Sequence, residues 1–314
     1  MKFIKPRFWD FKKPNFISKL LVIFTLPIVI SNFLLNFKTK RKNHKIKTIC
    51  VGNIYLGGTG KTPLVIRLYK IFKKQGLKVA VGKKFYKSQL DEISLLENET
   101  SLITGASRNK IIDKILKEKK DLLIFDDGLQ DKNISYDVKL VCFDLDLFVG
   151  NGQLIPAGPL REKLDSLKKY DLVLLKGDSN NFENIHQLLK KYNPNIQIFK
   201  TFYKAVNLEK LSVKRDCLLF SGIGNPSSFK KILLKNNFNV VDEVIFPDHF
   251  EYKEKDIEKI KARADKLTAQ IITTEKDYVK ISENYRNKIN FLKINLEIDN
   301  EEKLINFINL KIND

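Results

Sequence analysis

Cysteine, histidine and arginine are all scarce in this chain. Three cysteines, Cys50, Cys142 and Cys217, are scattered singly through 314 residues. No CxxC pair exists, which excludes a disulfide framework and a cysteine-based zinc site. Histidine occurs only as His44, His186 and His249, without an HExxH string, so a histidine-rich metal centre is excluded as well. Arginine supplies eight of the 57 basic residues. Internal repeats and low-complexity tracts are absent, apart from a general richness in lysine.

What is present defines a globular protein. At 43% apolar and 11% aromatic the chain can bury a core, which excludes wholesale disorder. At about 150 residues per domain, the length predicts two domains. The formal charge is +20, and the lysine skew, matched by abundant asparagine, reads as a coding bias spread over solvated faces. Such a charge favours anionic partners: nucleic acid, anionic lipid headgroups or phosphorylated substrates. It does not choose among them.

Near the N-terminus, Leu20–Phe37 carries no charge. As a helix its 18 residues would span about 27 Å, slightly short of the roughly 30 Å hydrocarbon core. Pro27, Ser31, Asn32 and Asn36 interrupt it, and lysines flank it on both sides. No small-residue cleavage site follows, which argues against a signal peptide. The pattern predicts a membrane-embedded or interfacial helix with basic flanks on anionic headgroups. That places the protein on the cytoplasmic face of a membrane.

After the basic flank, strand-like runs at Thr48–Ile54, Lys78–Val81, Asp121–Asp126, Val138–Asp144 and Asp171–Leu175 alternate with helical patterns, notably Pro63–Gln75 and Asn109–Lys119. This alternation predicts a mostly parallel α/β sheet covered on both faces. A second set comprises strands at Cys217–Ser221, Val240–Phe246, Gln270–Thr274 and Ile289–Ile294. Its helices lie near Ser227–Lys235, Lys253–Lys266 and Glu301–Ile312. The expected organisation is a membrane-associated segment over 1–47, a P-loop core over 48–205 and a second, smaller α/β domain over 206–314.

The strongest chemical signal is TICVGNIYLGGTGKTPL at Thr48–Leu64. A β-branched run ends in a glycine-rich loop, Tyr55, Leu56, Gly57, Gly58, Thr59, Gly60, Lys61 and Thr62, before a helix with Pro63 near its start. Glycines let backbone N–H groups turn inward around phosphate oxygens, and the helix N-terminus adds positive potential. Lys61 reaches the β- and γ-phosphates, and Thr62 offers its hydroxyl to Mg²⁺. Tyr55 stands where the general pattern has its first glycine. The second signal is DLLIFDDGLQ, a buried strand that delivers Asp126 and Asp127 at its C-terminal tip, where ligands of parallel sheets bind. One carboxylate can hold Mg²⁺ and the other orient it.

Three further strings say less by themselves. GNGQLIPAGPLRE (Gly150–Glu162) ends in Arg161, a possible phosphate contact, and Glu162, a possible metal ligand, but composition fits an ordinary loop equally well. SGIGNP (Ser221–Pro226) could approach a ligand or simply cap a helix. Phe246–Phe250 holds His249 in a turn after a strand.

Together these strings, with TTEKDYVK at Thr273–Lys280, resemble the tetraacyldisaccharide 4'-kinase (lipid A 4'-kinase) family, in the family's order, from about residue 50 to 280. The resemblance implies a lipid kinase that moves the γ-phosphoryl group of ATP to the 4'-hydroxyl of an acylated glucosamine disaccharide 1-phosphate, with ATP and Mg²⁺ as cofactors. It also implies an N-terminal helix attached to the bacterial inner membrane, and a catalytic pair mapping onto Asp91 of DEISLL and His249. Catalytic roles then fall to Asp91, His249, Lys61 and Arg161, nucleotide contacts to residues 55–62, and metal contacts to Thr62, Asp126, Asp127 and Glu162. The chain departs from the family where an SRGYG string would follow the second strand, since Val81–Leu90 reads VGKKFYKSQL. Ile93 replaces a proline, and Asp131 replaces a histidine. The alternatives are a P-loop switch ATPase or GTPase of the partitioning or metal-insertion type, or a non-enzymatic membrane adaptor. The switch would use the same loop and acidic tip but leaves Gly150–Glu162 and Phe246–Phe250 unexplained. A nucleic-acid partner is not expected, because no RNP-like string or zinc module accompanies the charge.

Overall fold

A computed structural model describes residues 5–27, 45–177, 181–248 and 250–313. The larger sheet has eight strands: β1 (Lys47–Gly52), β2 (Val79–Lys84), β3 (Leu102–Gly105), β4 (Leu122–Asp126), β5 (Val138–Asp144), β6 (Leu172–Lys176), β7 (Gln197–Ala205) and β12 (Ile294–Ile298). Their order is β12-β7-β6-β5-β1-β4-β2-β3, and the seven strands from β7 to β3 pair in parallel. The smaller sheet, all parallel, runs β11 (Ile289–Leu292), β10 (Gln270–Thr274), β8 (Cys217–Ser221), β9 (Val240–Ile245).

The central strands read as continuous apolar runs because both faces are covered. In the larger sheet, one apolar cluster joins Cys50, Ala80, Leu123 and Phe125 to Ile111, Ile112 and Ile115 of a helix at Arg108–Lys117. Another joins Val141, Phe143, Val173 and Leu175 to Ile185 and Leu189 of a helix at Phe182–Tyr192. In the smaller sheet the strand period of two is explicit. Leu218 and Phe220 pack with Ile257 and Ile260 from the helix Glu254–Lys266, whereas Leu219 packs with Phe229 and Leu233 from the helix Pro226–Lys235.

The described chain divides into two compact units. The larger holds the described residues of 5–85, with 99–202 and 297–313, and the smaller holds 86–98 and 203–296. Several elements have no counterpart in the sequence pattern: β3, β7, the helices Leu90–Glu99 and Phe182–Tyr192, the short helix Glu275–Tyr278, and β12, which follows β11 where one strand was expected. In the first helix, LDEISLLENE buries only Asp91, Ile93 and Leu96, so its periodicity is faint.

The N-terminal segment forms a short helix, Phe16–Leu21, followed by a 3-10 turn at Val22–Thr25. Most of the expected apolar helix, from residue 28 onward, lies outside the described residues. Among the described residues no helix is long and apolar enough to cross a membrane.

Candidate active site

The phosphate-type loop lies in the larger unit, between β1 and the helix Lys61–Lys74. Gly60 caps that helix in the left-handed region at φ +87°, and no side chain caps the first turn. The first-turn N–H groups and the helix dipole are therefore directed at whatever anion the loop receives. Asn53, fully buried, holds the loop from within: its Nδ2 donates to Gly57 O at 3.2 Å and to Thr59 Oγ1 at 3.0 Å. Gly58 lies within the turn so braced. The Tyr55 side chain is also fully buried, and its hydroxyl meets Asp10 and, at 3.0 Å, Lys5 Nζ. Tyr55 thus commits its side chain to the N-terminal segment, and only its backbone belongs to the loop surface.

Backbone pairing explains how Arg161 reaches this loop from 100 residues away. Leu56 N donates to Pro159 O at 2.8 Å, Arg161 N donates to Ile54 O at 2.7 Å, and Tyr55 and Leu160 form an antiparallel bridge. Glycine is required at the start of β4's return turn: a Cβ on Gly128 would stand 2.8 Å from Arg108 Nε and 3.0 Å from Cys50 Sγ.

At the tip of β4, Asp126 sits in register beside Val51 and Lys83. Its Oδ2 accepts from Thr62 Oγ1 at 3.2 Å and from Lys83 Nζ at 2.7 Å. Its Oδ1 is buried with no hydrogen-bond partner among the described residues. The next residue, Asp127, adopts φ +57°, a strained setting for a non-glycine. Arg161 Nη1 lies 3.3 Å from both Asp127 carboxylate oxygens, and Arg108 donates to the Asp127 backbone carbonyl. Burial pushes the Asp127 carboxyl upward, but Lys61, Arg161 and Lys83 together hold it below the usual carboxylate range.

The four residues expected to hold metal do not stand alike. Thr62 and Asp126 touch, Asp127 is engaged by Arg161, and Glu162 accepts from Tyr170 OH at 3.0 Å and from Gln130 Nε2 at 3.0 Å. Gln130 Nε2 also donates to Asn53 O at 3.0 Å, which ties Glu162 to the loop scaffold. Among the described residues no three His, Cys, Asp or Glu side chains group into a cage. The unpartnered Asp126 Oδ1 beside a threonine hydroxyl fits Mg²⁺ instead, an ion bound through one or two carboxylates and completed by substrate phosphates.

In the smaller unit, Asp91 opens the helix Leu90–Glu99 and is 7% exposed. Its Oδ2 lies 3.3 Å from Lys276 Nζ and 3.2 Å from Lys280 Nζ. Lys276 also lies 3.6 Å from Glu92 Oε1 and 3.4 Å from Asp248 Oδ1, while Lys280 pairs with Asp277 at 2.9 Å. Burial works against the Lys276 charge, but Glu92, Asp248, Asp91 and Asp277 outweigh it and push the ammonium well above its usual value. His249 lies outside the described residues, although its neighbour Asp248 belongs to this cluster. Lys83, Asn53, Gln130, Lys276 and Lys280 had no assigned role in the sequence reading. The only signal for the last two was their place in TTEKDYVK.

Comparisons with known proteins agree with this architecture. A family model described as tetraacyldisaccharide-1-P 4'-kinase matches residues 17–313. A tetraacyldisaccharide 4'-kinase from Pelagibacter ubique is 41% identical, covering 100% of this chain and 99% of its own. One from Rickettsia bellii is 34% identical over 97% of each. Among solved structures, LpxK from Aquifex aeolicus in complex with ATP superposes with a TM-score of 0.69 at 22% identity, covering 94% of this chain and 99% of that one, and so shares the fold.

Proposed function

The chain belongs to the tetraacyldisaccharide-1-P 4'-kinase family, and on that premise we propose how its own residues perform the transfer. It is an ATP-dependent kinase that phosphorylates the 4'-hydroxyl of tetraacyldisaccharide 1-phosphate in lipid A biosynthesis. The observation that carries this reading is the junction of an uncapped helix start, Lys61 and Thr62 with the Asp126 carboxylate at a neighbouring strand tip. A nucleotide switch is not favoured, because the family match runs on through the 150–162 and 246–250 strings.

Lys61 and the loop amides, Gly57 to Thr62, hold the triphosphate. Arg161, held beside Asp127, offers a cation to the transferring group. Thr62 and Asp126 Oδ1 would hold Mg²⁺, with Asp127 and Glu162 shaping the charge and hydrogen bonds around it. Magnesium, when bound with the nucleotide, supplies neutralising charge at the β- and γ-oxygens. Asp91, fixed by Lys276 and Lys280, acts with His249 to take the proton from the sugar hydroxyl.

The exposed apolar side chains Phe16, Leu20, Ile23 and Phe24 support attachment to a lipid surface, at the cytoplasmic face of the inner membrane where an acylated acceptor resides. The deciding assay incubates the purified chain with γ-labelled ATP and the disaccharide 1-phosphate lipid in detergent. Label on the sugar is expected, and Asp91→Asn should abolish most of it. Label appearing only as free phosphate would overturn the kinase reading.

A further inference from the structure

Lys83 is an unusual occupant of a strand tip. It is 2% exposed, lies in register with Asp126, and its ammonium contacts Asp126 Oδ2 at 2.7 Å. A buried ion pair is costly to desolvate and adds little over apolar packing, so it is weak evidence of a stability device. The distribution of contacts on Asp126 points elsewhere. Two donors, Thr62 and Lys83, crowd one oxygen, while the other is buried with no partner among the described residues. The carboxylate is thus neutralised by the protein on one side and left for a ligand on the other.

We infer that Lys83 is a resident counter-ion of the phosphate site, neutralising Asp126 so that the loop accepts nucleotide without metal and confining metal contact to Asp126 Oδ1. The charge balance carries the argument. Two adjacent carboxylates beside a loop built for a polyanion would repel it strongly in a poorly solvated setting. Each has a cation in direct contact, Arg161 on Asp127 and Lys83 on Asp126. Removing Lys83 leaves one buried negative charge uncompensated, which attracts a divalent cation and repels free nucleotide. Lys83 acts through Asp126 and is therefore a positioning residue. It stands in the Val81–Leu90 string, where the chain departs from the family pattern.

The inference rests on the nucleotide half of the proposed function and not on the acceptor. Equilibrium binding of ATP to the full chain is measured in EDTA and in Mg²⁺, and Mn²⁺ uptake without nucleotide is followed by electron paramagnetic resonance. Parent protein, Lys83→Ser and Lys83→Met are compared. The parent should bind ATP in EDTA within about tenfold of its Mg²⁺ affinity, and the variants should widen that ratio by about another tenfold while binding Mn²⁺ several-fold more tightly. A merely structural role would weaken both nucleotide forms together and leave the ratio where it was. An unchanged ratio in the variants, or a parent ratio beyond tenfold, overturns the inference. Should neither variant fold, the parent ratio decides. Failure of the lipid-labelling assay would sink the kinase reading without moving these binding constants.

Discussion

Asp127 is half-buried beside the glycine-rich loop, and Lys61, Arg161 and Lys83 more than offset its desolvation, which holds its carboxyl below the ordinary value. A carboxyl held below its ordinary value stabilises the fold above that value, near pH 4, and the contribution is lost as pH falls through the folded-state value. Arg161→Met removes one of the three cations, so the folded-state value rises and acid destabilisation begins at a higher pH. Urea midpoints measured between about pH 3 and 6 should show the variant's decline displaced to the alkaline side of the parent's. Superimposable profiles would mean that Arg161 does not hold that charge. Arg161 also donates to Gln130 Oε1 at 3.3 Å. Its loss should therefore loosen the Gln130 link between Asn53 and Glu162.

The loop from Gly150 to Leu160 has a second task beyond delivering Arg161. Trp9 Nε1 donates to Pro156 O at 3.1 Å, and Ser18 Oγ donates to Ala157 O at 2.6 Å. Asn151 Nδ2 reaches Ser18 Oγ at 3.1 Å, and Asn151 N donates to Trp9 O at 2.9 Å. Gly150 sits at φ +55°, and a Cβ there would stand 2.1 Å from Trp9 O. Gly150→Ala should cost about 1–3 kcal/mol in denaturant unfolding and speed proteolysis within residues 5–27 ahead of the rest of the chain. Equal cleavage rates in parent and variant would show that this loop does not dock the segment. Nothing in the string announced this role, since Asn151 and Ser18 lie 133 residues apart and hydrogen bonding of that kind has no local pattern.

For the molecule as a whole, charge and apolar exposure combine at the N-terminus. Phe16, Ile23 and Phe24 are 75%, 65% and 62% exposed, in a chain of net charge +20. Burying each such side chain in a bilayer interface contributes roughly 1.5–3 kcal/mol, so Ile23→Ser with Phe24→Ser should weaken sedimentation with anionic vesicles by at least about tenfold. Raising salt should weaken it further through the lysines. Binding unaffected by the substitutions would remove this segment from the membrane contact.

The alternation of the central strands and their covering helices was legible because hydrophobic runs, glycine turns and helix starts are local properties of a chain, whereas β3, β7 and the faintly periodic helix Leu90–Glu99 were not. Thr48–Leu64 and Asp121–Gln130 therefore disclosed the loop, Lys61, Thr62 and the acidic tip through their own residues alone. Which charges meet was not legible. Lys83 finds Asp126 only because β2 lies beside β4 in the sheet, and Lys276 and Lys280 find Asp91 only because one helix start packs against a short helix and its exit turn nearly 190 residues later in the chain. Coulomb energy depends on separation in space and on burial. A sequence records neither, so the partners of its charges, and with them the electrostatics of the site, were decided by the tertiary fold alone.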